Sequence, residues 1–435
     1  MVARLSVASF RFPKITIPTW AKSPVFLAAF FLALLFYTKT LVLKDNSIRS
    51  LVPFGSVRFI EGEVYDNPVA VDFDGEKRYR AIFRVFKTEN GDGLSSSARG
   101  ECVVFLPAEK VESLFPNGLW TQAGKSAGLL VEEGARLRLS VSPFGKNTFF
   151  ASEILPSKKG VWKKGFLGFI SKIRAKTRLQ LRFLMKNWGE AGSLVLALLS
   201  ADRSFLPSSV SRAFRRAGLS HVLALSGMHL TIFGSLAFSF GKKTVGKKGA
   251  SLFRVFFVGA FVWFAGLSPS LVRALLCVCI YEFSSFLSLR RPHEITVLSA
   301  AFLIHLSLFP SHLFHAAFLL SYAALLGIFV LAPVFDFLFC RVFPRFVSKS
   351  LAASSGAFFA TLPISLSLFG QVYPIGIIAS PIISPLVEIF MKIAIFAILF
   401  SLALPFLLEP FGCIMGALYE VLKGIATFFA AFHGV

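Results

Sequence analysis

Acid is scarce in this chain. Its 435 residues hold 23 Asp and Glu against 46 Lys and Arg, a formal charge of +23. The shortage is local: between Lys44 and Pro156, acids such as Glu61, Glu63, Asp72, Asp74, Glu132 and Glu133 balance the bases, so practically all the excess lies elsewhere. Cysteine is also sparse. Cys277, Cys279, Cys340 and Cys413 fall in apolar segments and Cys102 alone in a polar one, with no Cys-x-x-Cys pair. That pattern supports neither a disulfide framework nor a cysteine-held metal. The stretch His221 to Phe233 has no carboxylate, and Ser226 does not sit in a Gly-x-Ser-x-Gly elbow. A serine nucleophile needs a base in reach and an acid to orient that base, so catalysis by Ser226 and His229 is disfavoured.

Apolar residues, by contrast, are abundant. They make up 55% of the chain, 52 of them phenylalanine, and the mean hydropathy is +0.70. A soluble globular chain cannot hide that much, so the composition indicates an integral membrane protein. One candidate span is Ser23 to Leu43; a dense series follows from His221 to the C-terminus. Each approaches the roughly 20 residues that cross a bilayer as a helix. The first follows Arg4, Arg11, Lys14 and Lys22 with no acid among them and no small-residue cleavage site behind it. We read a retained anchor with a cytoplasmic N-terminus.

The expected architecture is a polytopic α-helical membrane protein with a small all-β, OB-like extracytoplasmic domain after the first transmembrane helix. The basic N-terminus occupies 1–22, the anchor 23–43, the β domain 44–156, a basic amphipathic or interfacial segment 157–220, and the multi-helix domain 221–435. In the β domain, runs such as "VRFIEGEVY", "YRAIFRVFKT", "ECVVFLP", "ARLRLSV" and "TFFASEIL" alternate with period two between turn residues, the pattern of short strands. About five strands in about a hundred residues suits an OB-like barrel, although spacing alone does not distinguish it from a sandwich. Beyond residue 221, basic connections at 242–248, 290–291 and 341–349 alternate with nearly uncharged ones near Pro269 and Pro310, and the positive-inside rule places the basic ones in the cytoplasm. The prolines of "PIGIIASPIISPLVEI", from Pro374, point to a broken or re-entrant element.

Several polar residues stand out against this background. The run from Lys158 to Lys186 and the group Arg203, Arg212, Arg215 and Arg216 are strongly basic; they read either as a headgroup-binding surface or as a cationic mouth for a polyanion. If the helix starting at His221 runs inward, the second group lies outside, against the charge rule, because "SLVLALLS" (193–200) is too short to span. Asp202 and Arg203 are neighbours that suit a local ion pair or a helix cap. Arg273, near a helix start, either snorkels to the surface or faces an aqueous path. On an unbroken helix His221, Ser226 and His229 share one side; they then either join helices, with Gly227 allowing close approach, or line the path. His305, His312 and His315 cluster at the Pro310 turn as interfacial histidines without a metal-ligand pattern.

Four stretches in order carry a resemblance. They are "LLSADRSFLPSSVSRAFRRAGLSHVLALSGMHLTIF" (198–233), "GLSPSLVRALL" (266–276), "FHAAFLLSYAALLGI" (314–328) and "LPISLSLFGQVYPIGIIASPIISPLVEI" (362–389). Together they resemble the ComEC competence family of inner-membrane channels that import single-stranded DNA during natural transformation, over about residues 190 to 390. Ala201 stands where Gly commonly precedes Asp-Arg, Leu319 replaces the usual Gln, and Ser380 sits where Asn is typical.

The resemblance implies a channel, not an enzyme, with DNA-path candidates Asp202, Arg203, Arg215, Arg216, His221, Ser226, Gly227, His229, Arg273 and Ser321. It implies no cofactor and no metal. Its expected partners are single-stranded DNA, membrane lipids, a DNA receptor outside, and a cytoplasmic helicase or single-strand-binding protein. Many members carry a metallo-β-lactamase-like domain; no His-x-His-x-Asp-His cluster occurs here, so a separate nuclease is expected. The competing readings are a small-solute or ion transporter and, behind it, a membrane-embedded hydrolase.

Overall fold

The computed structural model describes residues 23–37, 47–113, 131–145, 147–157, 160–287 and 290–432. The basic N-terminus and the last residues expected for the anchor lie outside them. Helix α1 (Pro24–Tyr37) covers the described part of the anchor, and Leu32 packs against the Leu298, Leu306 and Phe318 cluster of the helical region.

The β domain has strands β1 (Val57–Val64), β2 (Val69–Phe73), β3 (Glu76–Asn90), β4 (Ser95–Ser97), β5 (Glu101–Pro107), β6 (Arg136–Gly145) and β7 (Thr148–Pro156), with the short helix α2 (Ala108–Glu112) after β5. Its five long alternating runs are the five expected strands. β2 and β4 are additional and flank β3 as short hairpin partners. The hydrogen-bonded order runs from β1 to β3, β5, β7 and β6 and returns to β1, all antiparallel except β5 with β7. Alternation puts Ile60, Phe83, Val104, Leu137 and Phe149 in one core, where each fully buried large side chain contributes about 1.5–3 kcal/mol relative to exposure. Gly62 lies inside β1, where the strand packs tightly on β3. A Cβ there would lie 2.2 Å from the Arg84 carbonyl oxygen, at a register shift between β1 and β3, so the close approach demands glycine.

Three elements link the β domain to the bundle: α3 (Phe166–Lys186), α4 (Gly189–Ser200) and α5 (Ser208–Arg216). Residues Ala191 to Ser200 of α4 are all buried, apolar apart from Ser193 and Ser200, whose hydroxyls donate to the Glu190 and Leu196 carbonyls. Trp188 Nε1 donates to the Leu408 carbonyl at 2.9 Å, and Tyr419 Oη donates to Glu190 at 2.7 Å.

The remaining helices are α6 (Ser220–Leu223), α7 (Gly227–Ala265), α8 (Pro269–Phe286), α9 (Glu294–Leu308), α10 (Ala316–Val330), α11 (Ala332–Phe339), α12 (Arg345–Phe369), α13 (Gly376–Ala403) and α14 (Leu408–Ala430). α7 turns back on itself at Gly246, where φ is 75°, so that Phe233 stacks on Phe261 with ring centroids 4.0 Å apart. Among the described residues, four helices of this region are long and apolar enough to cross a membrane, or five if α10 and α11, bent by 48°, count as one.

Two expectations change here. The proline-rich stretch after Pro374 is not broken: α13 is continuous through Pro381 and Pro385. Each proline removes one N–H bond and frees the carbonyl four residues earlier, a local loss that a packed helix tolerates. And the helix expected from His221 is interrupted, since α6 ends at Leu223 and α7 begins at Gly227.

Candidate functional site

The basic stretch of α3 does not lie open to headgroups or to a polyanion along its whole length. Arg174 and Arg178 are buried. Arg174 pairs with Glu133 at 2.7 Å and Arg178 with Glu132 at 3.1 Å; Arg182 pairs with Glu132 at 2.6 Å and also with Asp202. Arg178 further donates to the Ser200 and Phe264 carbonyls at 3.0 and 3.1 Å. These arginines join the acids before β6 to the end of α4 and the end of α7. Asp202 therefore does not pair with its neighbour Arg203. Burial alone would raise the Asp202 carboxyl, but the Arg182 guanidinium, and the hydroxyl and N–H of Ser204, together hold it at about 2. Spacing hinted at this use: residues 174, 178 and 182 recur every four along one helix face.

The interruption at residues 224–226 gives the Ser-Gly-x-His sequence a local role. Ser226 has extended backbone and is the N-cap of α7, and its N–H donates to His229 Nδ1 at 3.2 Å. This side-chain return to the N-cap satisfies one of the donors that a helix start leaves unpaired. The Ser226 hydroxyl also lies 3.2 Å from Nδ1. Yet His229 Nε2 has no partner among the described residues, so no acid orients the ring. His221, Ser226 and His229 thus do not share one continuous helical face.

The four sequence stretches converge in space. Gly218, with φ of 72°, passes so close to Gly376 that a Cβ would lie 2.7 Å from the Gly376 Cα. Just beyond, His221 Nε2 is 3.5 Å from Ser380 Oγ across 159 residues of chain. Arg273 Nη1 donates to the Ser321 carbonyl at 3.3 Å, and a Cβ on Gly227 would lie 3.1 Å from Arg273 Nη2. Ser270 Oγ donates to the Leu225 carbonyl at 2.6 Å. The first, second, third and fourth stretches therefore touch in pairs around one space.

That space is a cavity of about 2160 Å³, well beyond the roughly 300–1,000 Å³ of small-molecule pockets. Arg203, Arg215, His221, Ser226, Gly227, Arg273 and Ser321 line it; Asp202, Arg216 and His229 do not. Asp202 is buried in the arginine network, Arg216 is exposed on α5, and His229 is buried behind the α7 start. Five arginines line the cavity against two glutamates. Both acids are already paired, Glu282 with Arg254 at 3.0 Å and Glu388 with Lys392 at 2.6 Å, which leaves a positive lining.

Sequence reasoning missed the Arg254–Glu282 pair and most of the hydroxyl lining. Ser350 and Ser354 on α12, and Ser380 and Ser384 on α13, line the cavity. Their four-residue spacing was the available signal for two wet helix faces. Ile377 and Pro381, whose carbonyls lose their helical partner to the prolines four residues on, are residues of the same lining.

Two of the three histidines at the Pro310 turn are packed inside the protein. His305 and His312 are buried, with His305 Nε2 3.0 Å from His312 Nδ1 and His305 Nδ1 3.2 Å from the Tyr322 hydroxyl. Only His315 is exposed. No group of three or more His, Cys, Asp or Glu is placed to hold a metal ion among the described residues.

A second surface lies on the β domain. Phe73, Phe105, Phe144 and Phe150 form a cluster with ring centroids 4.6 to 5.6 Å apart. Phe144 is 58% exposed, and the Arg78 guanidinium lies 4.8 Å over the Phe150 ring. The sequence concealed this group because its rings come from four strands.

A family model described as "Competence protein" matches residues 198–435, more than half of the chain. An uncharacterized protein of Aquifex aeolicus is 27% identical over 352 residues, covering 78% of this chain and 76% of its own length. The ComE operon protein 3 of Bacillus subtilis is 28% identical over 148 residues, covering 34% of this chain and only 19% of its own. No solved structure matches.

Proposed function

Because the chain belongs to the competence protein family, we propose that it is a multi-pass protein of the bacterial inner membrane that passes single-stranded DNA inward during natural transformation. The observation that carries this reading is the large cavity. Its arginines outnumber its acids, both acids are paired, and its walls combine hydroxyl-bearing residues with a proline-bearing stretch of α13. Basic groups at such a path concentrate a polyanion through a salt-dependent term. Irregular or underbonded backbone at membrane depth is tolerated where it lines water.

In this reading the helices from α7 onward span the bilayer and the N-terminus is cytoplasmic. The basic connections near 242–248, 290–291 and 341–349 then face the cytoplasm as well, in keeping with the positive-inside rule. The β domain stands outside. Its five-strand circuit, with one parallel pair between β5 and β7, supports an OB-like barrel, a fold that binds single strands. The phenylalanine cluster with Arg78 offers stacking faces that suit any base. The chain itself does no covalent chemistry in this reading and holds no cofactor. A receptor outside and a helicase or single-strand-binding protein inside complete the system.

Labelled DNA supplied to a strain lacking the gene tests the proposal. The expected result is that strands bind outside and fail to reach the cytoplasm; normal entry would overturn it.

A further inference from the structure

The guanidinium of Arg273 and the first turn of α7 meet with like polarity. Arg273 is 6% exposed, and its Nε has no partner among the described residues. Among the described residues its one hydrogen bond goes from Nη1 to the Ser321 carbonyl, a neutral acceptor. No carboxylate pairs with it among the described residues. The N-terminus of a helix carries partial positive charge on its unbonded N–H groups, so a cation set against it is repelled unless an anion lies between them.

The local construction holds these two positive groups together. Ser270 Oγ donates to the Leu225 carbonyl at 2.6 Å and positions the segment that starts α7. Glycine at 227 admits the guanidinium, since a Cβ would lie 3.1 Å from Nη2 and 3.7 Å from the Ala274 Cβ. Ser226, Gly227, Met228 and Arg273 all face the cavity. Helix N-termini and planar guanidinium groups each recognise tetrahedral oxyanions through directed N–H donors.

We infer that Arg273 and the α7 N-terminus form a site for a single phosphate group. Resting on the transport reading, that group is a phosphodiester of the strand in the cavity, held one at a time as the chain advances. The cavity volume exceeds what a small anion needs, which favours a phosphate that belongs to a polymer.

The test uses the full-length purified protein and labelled oligothymidylate over a salt series. Wild type is expected to bind with a linear log–log salt dependence. Arg273→Gln is expected to weaken binding about tenfold at low salt and to reduce the slope by about 0.7, the contribution of one single-strand phosphate. Arg273→Lys keeps the slope and loses part of the affinity, and it serves if the Gln variant does not fold. Gly227→Ala weakens binding with no change of charge, by displacing the guanidinium. Inorganic pyrophosphate provides a second probe, expected to raise the melting temperature of wild type but not of Arg273→Gln. If wild type binds strands and Arg273→Gln matches it in affinity and slope, the phosphate site is wrong and the transport reading stands. If wild type binds no strands while pyrophosphate still discriminates the two proteins, the site stands and the transport reading fails. If pyrophosphate shifts neither protein and no strands bind, both fall.

Discussion

Gly218 and Gly376 cross backbone to backbone: a Cβ on Gly218 would lie 2.7 Å from the Gly376 Cα and 2.8 Å from the Tyr373 carbonyl oxygen. This contact seats the Gly-Leu-Ser-His segment against the start of α13 and so places His221 beside Ser380. Because φ at Gly218 is also 72°, an L residue there meets both backbone strain and steric overlap. Gly218→Ala is therefore expected to lower stability by at least about 2 kcal/mol and to impair DNA uptake. Thermal unfolding in detergent and a transformation assay check the two effects; an unchanged melting temperature would remove the crossing from the account.

Ala201 provides the opposite case. It ends α4 with φ of 59°, a left-handed conformation that costs an L residue roughly 1–2 kcal/mol. Glycine has no such penalty but loses more entropy on ordering. Ala201→Gly is expected to raise stability by about 0.5–1 kcal/mol, read as a higher melting temperature. The departure from the resembled family's Gly-Asp-Arg pattern is thus a departure in backbone strain at Ala201.

Legibility in the sequence followed periodicity. The five alternating runs became the five strands of the circuit, and the apolar runs after residue 221 became the helices, because local period determines which face is buried. Seven of the ten site residues line the cavity, since motifs far apart in sequence mark where chains meet. Charge was harder to read. A run of bases looks solvated until its partners are known, and Arg174, Arg178 and Arg182 find theirs at Glu133, Glu132 and Asp202, on other elements. The helix break before Gly227 was hidden because Ser226 and His229 also suit a continuous helix.

The Asp202–Arg182 pair gives a pH dependence of known sign. The carboxyl titrates at about 2 in the folded protein against 3.8 for the free group. A depressed carboxyl stabilises the fold fully above the free value, and that contribution is lost as pH falls from there towards 2. Holding the carboxyl that far below its free value corresponds to about 2 kcal/mol. The stability gap between wild type and Asp202→Asn should therefore be widest near neutrality and narrow as the pH falls below about 4. A gap that stays constant down to about pH 2 would contradict the pairing.

The β-domain phenylalanines separate stacking from structure. Phe144 is 58% exposed and Phe150 lies under Arg78, so truncating Phe144 removes a ring face while leaving the buried core of Ile60, Phe83 and Leu137 intact. A stacked base is worth about 1–3 kcal/mol by alanine substitution. Phe144→Ala is accordingly expected to weaken oligothymidylate binding to the full-length protein by about fivefold or more, with little change in its salt slope, because no charge is lost. Arg78→Gln should reduce both affinity and slope. The same two variants are expected to melt close to wild type. If Phe144→Ala binds as tightly as wild type, strands do not stack on this cluster, and its aromatic face serves something other than the incoming chain.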